Sequence, residues 1–524
     1  MPETVPPRAT GARPGSPTPP RAPAGAGFRG LLPAACLLGA LSLLGCSLAP
    51  DYVRPPAPVP AALPGAGAPS GQGAAPAAAA GEVGIGVFYP EPRLRALISS
   101  ALANNRDLRI SYLSILEARA QSAIARAERL PVLEAMASET VSGGRRLRSS
   151  ESFTAELSVP SFDLDLFGRL RNMDRAAYEE YLSSREAWRA FRIALVSQTA
   201  ESYLAWRLAE QKRQAAERAL ASWRDSLAFI EKRIVSGQSD LLELEQARGQ
   251  AEFAEARVSA LKAEASMALN SLGLLAGSFS PAGLPEPLDL SAWEPAGLAG
   301  EIPSSVLLER PDVLEAEHML AAAGHDIGAA RAAFFPSVSL TGALGFMSGE
   351  LNELFTAPAE SWRLGPAVSV PLFAGGRNRA GLALAEARRD KAVASYEKAI
   401  QTAFKEAADA LAARADLKAR LEASRRLLAT RRRTLSLAEG RYLGGTSSYL
   451  EVLDAQREVF EGEMDYLDAR KAWLSNGVSL YAALGGGLDP RGLPEAPETP
   501  GKPPEAPPPP AAPPGRAPRA AGAP

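Results

Sequence analysis

Histidine and cysteine, the side chains that most often ligate metals, are rare in this sequence of 524 residues. The two histidines, His318 and His325, are seven residues apart on one predicted helix, without a cysteine or acidic ligand set at metal-binding spacing around them. We interpret both as polar helix residues. The sequence also contains no glycine-rich phosphate loop, nucleophile elbow or HExxH helix. It therefore predicts no catalytic residue, no metal site, no cofactor and no enzymatic activity.

Cys46 is the residue for which the sequence predicts a covalent modification. Four arginines precede an apolar run from Leu31 to Leu44, which is too short to be a permanent membrane anchor. Gly45 and Cys46 follow the run in a pattern typical of bacterial lipoproteins, in which the cysteine thiol is acylated and the preceding peptide is removed. Ser47, a residue other than aspartate, favours sorting of the lipoprotein to the outer membrane. The alternative is an ordinary signal peptide with a chance cysteine.

The composition excludes one large class of partner and predicts where ordered structure ends. A formal net charge of −2 with 22% charged residues gives no indication of a nucleic-acid partner. We predict a lipoprotein-type signal peptide at 1–45, and a lipidated N-terminal linker rich in proline, alanine and glycine at 46–81. A disordered tail of similar composition is predicted at 490–524.

Proline is unevenly distributed, and this predicts two long helical halves. None of the 45 prolines lies between Ser161 and Ser280 or between Leu372 and Asp489. These tracts are 120 and 118 residues long. Because proline interrupts a helix interior, two near-equal tracts without it indicate two copies of a helical unit.

Landmarks recur at almost one offset, which supports an internal repeat. Pro131 and Pro336 each end a helical run containing Ala-Arg-Ala, and 336 − 131 = 205. A Leu-Phe pair followed by glycine and arginine recurs with 373 − 167 = 206, and an Arg, Gly, Glu, Ala series recurs with 441 − 233 = 208. Each copy reads helix, strand, strand, long helix, turn, long helix. We predict a first repeat at 82–285 and a second at 286–489.

The predicted strands alternate between apolar and polar or small residues. In the second copy this pattern follows Pro336, and in the first copy it runs through 153–159. The apolar positions are Phe153, Ala155, Leu157, Val159, Val338, Leu340, Leu344 and Phe346. Strands of this kind fit the lipid-facing and lumen-facing sides of a membrane barrel. A soluble hairpin packed on helices is the alternative that this pattern alone leaves open.

A heptad pattern predicts coiled-coil packing in the second long helix, from about Asn378 to Tyr442. Every seventh residue along this stretch is apolar, except for one arginine. The series is Val393, Ile400, Ala407, Arg414, Leu421, Leu428, Leu435 and Tyr442. A helix of this length extends about 90 Å, which is too long for a single compact domain.

Four strands cannot close a membrane barrel, because the smallest known barrels need about eight. An open sheet edge in lipid would leave backbone N–H and C=O groups unpaired at a cost of several kcal/mol each. We therefore expect several copies of the chain to share one barrel. Arg169 and Arg377 come just after the predicted strands, where we expect them to mark the membrane boundary, with the long helices running away from the bilayer.

Segments across most of the mature chain resemble the outer-membrane efflux protein family (TolC-like), in particular its lipoprotein branch that serves pumps of the resistance-nodulation-division type. The matching segments are Pro50 to Pro55, Arg310 to Val313 with Ala316 and Glu317, Phe334 to Pro336, Pro371 to Phe373 with Gly375 and Gly376, Leu453 to Arg457, and Ala483 to Gly487. Leu488 departs from the family, which often has tryptophan there. The resemblance implies a homotrimer with a shared barrel of twelve transmembrane β-strands and a periplasmic α-helical barrel of coiled coils, an α+β membrane protein.

Several residues after the second predicted turn match family positions that narrow the closed aperture. By this resemblance Leu450 is an apolar plug, Asp454 and Arg457 are ionic latches broken on opening, and Arg441 and Tyr442 tie neighbouring helices in the closed state. The alternative is that these residues are ordinary helix-surface pairs.

Glycines mark the two predicted turns between long helices. Gly237 and Gly445 can take the positive φ that closes a tight turn between two helices. We expect these turns to form the periplasmic tip and to receive a periplasmic adaptor (membrane fusion) protein, with Ser239 and Ser447 as contacts.

The sequence as a whole predicts an exit duct of a tripartite efflux system. Its expected partners are two further copies of the chain, the adaptor, an inner-membrane pump of the resistance-nodulation-division type and outer-membrane lipid. Three alternatives stay open, namely the outer-membrane component of a type I protein secretion system, a lipid-anchored coiled-coil scaffold without a pore, and a periplasmic hydrolase with a helical domain. The sequence does not specify the cargo.

Overall fold

The computed structural model describes residues 47–63, 88–144, 147–279, 284–294 and 303–486. Cys46, the predicted signal peptide and the predicted tail at 490–524 lie outside the described residues, as does most of the predicted linker. The described chain falls into two compact units. The sheet unit contains Pro131–Arg169 and Ala332–Leu372, together with Ser47 and Leu48. The helical unit contains the remaining described residues.

The first half of the chain follows the predicted order of elements. Two helices, α1 (Pro92–Asn104) and α2 (Arg106–Ala127), precede the strands β1 (Glu134–Gly144) and β2 (Leu147–Leu164). The long helix α3 (Arg169–Val235) and the helix α4 (Leu241–Ala276) follow them.

The second half repeats this order. A 3₁₀-helix (Ser304–Glu309) and helix α5 (Pro311–Ala332) precede strands β3 (Ser337–Ser348) and β4 (Glu360–Ser369), and helices α6 (Arg377–Leu443) and α7 (Tyr449–Ala483) complete the half. Helices α3 and α6 are each 67 residues long. Their starts differ by 377 − 169 = 208 residues. The predicted repetition of elements is therefore confirmed, whereas the exact domain boundaries stay a prediction.

Local sequence signals explain where the helices begin and end. Asn105 accepts a hydrogen bond from the Leu108 N–H at 2.9 Å and so caps the first turn of α2. Asp240 caps α4 in the same way, and Gly277, with a φ of 67°, ends it. Proline-free sequence allows α3 and α6 to extend to about 100 Å each. Among the described helices, none is both long and apolar enough to cross a membrane.

The heptad series of α6 faces other helices, as predicted. Ile400, Ala407, Leu421 and Leu428 are buried, and the remaining positions of the series are buried or half-buried. The single charge in the series, Arg414, stacks on the ring of Trp473 in α7 at 4.8 Å. A guanidinium is weakly hydrated and packs well on an aromatic face, so this position keeps a charge without interrupting the packing.

Two of the apolar clusters in the helical unit join elements that are distant in sequence. One joins α1, α3, α7 and residues 284–294, and includes Leu94, Tyr203, Trp293 and Tyr481. The other joins the N-terminal segment 47–63 to α5, α6 and the 3₁₀-helix Ser304–Glu309. Each fully buried large side chain contributes roughly 1.5–3 kcal/mol, so these clusters stabilise the contacts between elements that are distant in sequence.

The four strands form one antiparallel sheet in the order β1-β2-β3-β4. The pairing of β2 with β3 joins the two halves of the sequence. A bulge between Val159 and Phe162 coincides with Pro160, which has no N–H to donate to the ladder. Strands β1 and β4 are the two edges, and neither edge is paired on its outer side within the described residues.

The strand register separates the two kinds of side chain, as the alternation predicted. Leu157, Leu344 and Trp362 are aligned across three strands on an apolar face, where Leu344 and Trp362 are 68% and 77% exposed. Residues of the opposite, mostly polar face include Ser138, Thr154, Glu156, Ser158, Thr341, Ser361 and Arg363, together with Met136 and Met347. An exposed face of large apolar side chains indicates a surface that meets lipid.

Candidate gate and docking site

The turn between α3 and α4 is closed by a glycine, as predicted. Gly237 has a φ of 70°, a conformation that residues with a Cβ rarely adopt. The Gln238 N–H donates to the Arg233 carbonyl at 2.8 Å, and the Gly237 N–H donates to the Ile234 carbonyl at 2.9 Å. These two bonds satisfy carbonyl groups that the end of α3 leaves without helical partners.

The turn between α6 and α7 has the same structure 208 residues later. Gly445 also has a φ of 70°. The Thr446 N–H donates to the Arg441 carbonyl at 2.9 Å, and the Gly445 N–H donates to the Tyr442 carbonyl at 3.0 Å. The helical unit therefore has two equivalent hairpin turns, and both are closed by the glycines named from the sequence.

The two serines proposed for adaptor contacts have different surroundings. The Ser239 hydroxyl donates to the Glu243 carboxylate, while Asp240 accepts the Glu243 N–H at 2.8 Å. Ser447 is half-buried in the second turn. A hydroxyl that already stabilises a helix start is less accessible to a partner. The docking role of both serines stays a prediction.

An aromatic and cationic cluster connects the two turns. Tyr442 is buried, its ring centroid lies 5.7 Å from that of Tyr449, and the Arg233 guanidinium lies 5.0 Å from the centroid of the Tyr442 ring. Burial, with a further contribution from Tyr442, raises the pKa of Tyr449 to about 12. Burial also raises the pKa of Tyr442. Both phenols therefore stay neutral at physiological pH, and the cluster holds one turn against the other.

Three of the predicted aperture residues carry charge, and the structure assigns each a partner within the chain. Asp454 and Arg457 form an ion pair at 3.8 Å, one turn apart on α7. The Arg457 Nε also donates to the Gln250 Oε1 of α4 at 2.6 Å. Arg441 pairs with Glu451 at 3.4 Å.

Leu450, the predicted apolar plug, lies in the first turn of α7 and is 47% exposed in the single chain. An exposed apolar side chain beside exposed charged groups fits a constriction that closes only when several copies meet. The roles of the five aperture residues stay predictions.

The sequence prediction missed Arg233 and Gln250 as members of this site. The repeat offset of 208 pairs Arg233 with Arg441, so the repeat itself was a signal for Arg233. No sequence signal identified Gln250, because its contact with Arg457 depends on how two helices from different halves pack.

The two arginines predicted at the membrane boundary are the first residues of the long helices. Arg169 begins α3 and forms an ion pair with Asp163 of β2 at 3.1 Å. Arg377 begins α6, and its N–H donates to the Ala374 carbonyl at 3.0 Å. Both follow a strand in the chain, as predicted. Their position at a membrane surface stays a prediction.

Arg310, in one of the segments that resemble the family, forms several bonds between elements of the helical unit. Arg310 binds Asp312 at 2.9 and 2.7 Å, Glu406 at 2.9 Å and the Ala483 carbonyl at 2.9 Å. It thereby joins α5, α6 and the end of α7. Multiple charge-assisted bonds satisfy a guanidinium that is almost fully buried.

The N-terminal segment is tied in the same way. Arg54 donates to Glu317 at 2.5 Å and to the Tyr396 hydroxyl at 3.1 Å, and the Tyr52 hydroxyl donates to Glu317 at 2.9 Å. These bonds hold the residues that follow Cys46 in sequence against α5 and α6.

The surroundings of the two histidines fit a structural role. His318 Nδ1 lies 2.7 Å from Glu179, and burial together with Arg175 lowers the pKa of His325. Both lie on α5, as predicted. Within the described residues, no group of three or more histidine, cysteine or acidic side chains is arranged to hold a metal ion.

A family model described as "Outer membrane efflux protein" matches residues 97–278 and 302–486. The two matched segments each contain one set of the repeated elements.

The chain is also similar to curated proteins. It is 43% identical over 452 residues to the cation efflux system protein CusC of Escherichia coli (strain K12), covering 86% of this chain and 98% of that protein. It is 42% identical over 458 residues to the solvent efflux pump outer membrane protein SrpC of Pseudomonas putida, covering 85% and 96%.

Solved structures show the same fold. The chain superposes on a crystal structure of CusC with a TM-score of 0.77 at 42% identity, covering 84% of this chain and 100% of that chain. It superposes on the open state of the MtrE outer membrane channel of Neisseria gonorrhoeae with a TM-score of 0.77 at 33% identity, covering 84% and 99%. These relatives are transport proteins.

Proposed function

Because the chain belongs to the outer membrane efflux protein family, we propose that three copies of it form the outer-membrane exit duct of a tripartite efflux system. The single observation that carries this proposal is the sheet: four antiparallel strands with one exposed apolar face and, within the described residues, two open edges. In lipid, such a sheet is stable only when other copies pair with its edges.

Three copies give a barrel of even strand number. Strands β1 and β4 run in opposite directions, because each neighbouring pair in the sheet is antiparallel. Consequently β4 of one copy can pair antiparallel with β1 of the next, and twelve strands close without an edge. The apolar face then contacts lipid, and the face with Thr154, Ser158 and Thr341 lines the lumen.

The proposed duct is passive: the chain supplies a path, and the pump supplies the energy for transport. Its proposed partners are a periplasmic adaptor protein, which docks at the hairpin turns around Gly237 and Gly445, and an inner-membrane pump of the resistance-nodulation-division type. Acylation of Cys46 adds a lipid anchor, which supplements the barrel in holding the protein in the membrane.

The cargo is proposed from the relatives. CusC belongs to a cation efflux system, and SrpC to a solvent efflux pump. A duct with a similar sequence serves both kinds of pump, so we propose that the pump selects the cargo, with metal cations and organic solvents as the first two classes to examine.

The gate is proposed at the start of α7. Leu450 narrows the closed aperture, and the Asp454–Arg457 and Arg441–Glu451 pairs, supported by Tyr442, hold the helices in the closed arrangement. The support is the clustering of these groups beside the second hairpin turn.

Conductance of the purified protein tests the proposal. The mature, acylated protein is extracted from outer membranes, its mass is measured in detergent by light scattering, and it is added to a planar bilayer. We expect the mass of a trimer and discrete conductance steps. An extract from cells with an empty vector is the control. A monomer that never conducts would contradict the proposal.

A further inference from the structure

The sheet unit contains an ion pair that none of the roles above uses. Glu156 of β2 and Arg363 of β4 approach to 3.6 Å, between Oε2 and Nη2. Only 8% of the Glu156 side chain is exposed even in the single chain, whereas Arg363 is 66% exposed. Both residues lie on the polar face of the sheet. The carboxylate is therefore covered by its neighbours, and the guanidinium lies between it and the solvent.

The pair crosses an intervening strand, and the residues of that strand make this possible. Gly345 of β3 lies directly between Glu156 and Ser361, and Ala343 lies directly between Ser158 and Arg363. Any larger side chain at these two positions would occupy the path between the carboxylate and the guanidinium. A Cβ at position 345 would lie 2.5 Å from the Cα of Glu156 and still closer to the Ala155 carbonyl oxygen. The small residues of β3 thus leave room for the carboxylate and the guanidinium to approach each other.

Two of the acidic residues on this face are paired, whereas Glu134 of β1, aligned with Ser158 on the same face, has no ion pair among the described residues. Asp163, also on the polar face, is paired with Arg169 at 3.1 Å, and Glu156 is paired with Arg363. Rings of charged side chains in a pore determine the sign of the ion that enters. The charge of such a ring reaches across the lumen only where salt does not screen it, over about 10 Å in 0.1 M salt and about 3 Å in 1 M salt.

We propose that the Glu156–Arg363 pair determines the charge selectivity of the barrel lumen: Arg363 neutralises a carboxylate that would otherwise form a threefold ring selective for cations. The inference rests on the proposed function, because the ring exists only in the trimer. With the pair intact, Glu156 and Arg363 together add no net charge to the wall, and Glu134 of β1 supplies a constant charge that none of the variants below changes. Loss of either partner changes the charge of the wall by three, once for each copy of the chain.

Ion selectivity in planar bilayers tests this inference. The ratio of potassium to chloride permeability is obtained from reversal potentials in KCl gradients kept below 0.1 M. We expect Arg363→Gln to raise the ratio by about twofold or more and Glu156→Gln to lower it by a similar factor, because each changes the charge of the lumen by three, in opposite directions. The double variant E156Q/R363Q removes both charges, so it should return the ratio to that of the unchanged protein. In 1 M KCl all four proteins should have similar ratios.

Glu360→Gln is the matched control. Glu360 is on β4, as Arg363 is, and the substitution changes the charge by the same amount, but the residue is on the opposite face, paired with Phe346. It should leave the ratio unchanged.

Equal permeability ratios for the two single variants in conducting trimers would overturn the inference while leaving the channel in place. Absence of conductance in the unchanged protein would instead overturn the proposed function and this inference with it. The double variant is also the control for folding, because it conducts with an unchanged ratio only if the barrel still forms without the pair.

Discussion

At the scale of single residues, the candidate gate depends on weak interactions. The Asp454–Arg457 pair spans 3.8 Å, and both side chains are about half exposed or more. Exposed pairs of this kind contribute about 0–1 kcal/mol, because water screens the charges and the side chains lose entropy when they pair. An interaction that breaks so easily contributes little to folding. It can, however, bias an aperture between two arrangements of similar free energy.

Replacement of both charges by alanine should open the aperture. In D454A/R457A the ion pair is lost, and Arg457 no longer donates to Gln250 of α4. We expect the mean single-channel conductance in planar bilayers to rise about twofold or more, because losing about 1 kcal/mol of closed-state bias changes an equilibrium about fivefold.

Arg248→Ala is the control for this experiment. Arg248 forms a similarly exposed pair with Glu245 at 2.6 Å on α4, outside the five proposed aperture residues. It should leave the conductance unchanged. Unchanged conductance in the double variant as well would remove Asp454 and Arg457 from the gate.

At the scale of elements, the two hairpin turns have the same hydrogen bonds and the same glycine conformation in both halves of the chain. Their side-chain contents differ. At the offset of 208, Asp454 corresponds to Gln246 and Arg457 to Gly249, so the charged pair at these two positions occurs in the second hairpin and not in the first. The repeat therefore gives the same turn backbone in both halves, whereas the proposed latch occurs in the second half.

Gly445→Ala should destabilise the second turn although space is available for the methyl group. No atom lies within 4 Å of the added Cβ, so the cost comes from the positive φ of 70° alone, about 1–2 kcal/mol. Urea unfolding of the detergent-solubilised trimer, followed by circular dichroism, measures the change.

Gly440→Ala, five residues earlier in α6, is matched to it. The added Cβ is equally free of contacts, but the residue is within the helix, so alanine should stabilise it by about 0.5–1 kcal/mol. Changes of the same sign in both variants would show that backbone conformation is not the reason for Gly445.

Helices and strands were easier to predict from the sequence than contacts between side chains. The absence of proline and the heptad series predicted a helix from about 378 to 442, and α6 spans Arg377–Leu443. Alternation predicted the strands, because side chains on a strand point to opposite faces in turn. The contact of Gln250 with Arg457 was not predictable, since it joins residues 207 apart and depends on packing between the halves. For Arg414, the sequence predicted an interruption, but not the Trp473 ring that accommodates it.

At the scale of the whole molecule, the two units obtain their stability differently. The helical unit buries its own apolar clusters, including Tyr89, Leu204, Ile400 and Trp473. In the part of the chain that the structure describes, the sheet unit has large apolar residues exposed on one face and two unpaired edges, so it is incomplete as a single copy. Folding of the barrel therefore requires both lipid and other copies, which couples the stability of the sheet to assembly.

A charge on the apolar face should consequently weaken the trimer, whereas the same charge on the polar face should not. Leu344 on β3 and Ser158 on β2 lie at nearly the same level of the sheet, since Ser158 pairs with the neighbouring Ala343, but they point to opposite faces. We expect Leu344→Lys to destabilise the barrel in lipid vesicles by about 2–4 kcal/mol and to release monomer on semi-native gels. Ser158→Lys adds the same side chain to the water-filled lumen, so the trimer should persist. If the two variants lost the trimer equally, the faces would not be divided between lipid and lumen, and the barrel formed by three copies would be wrong.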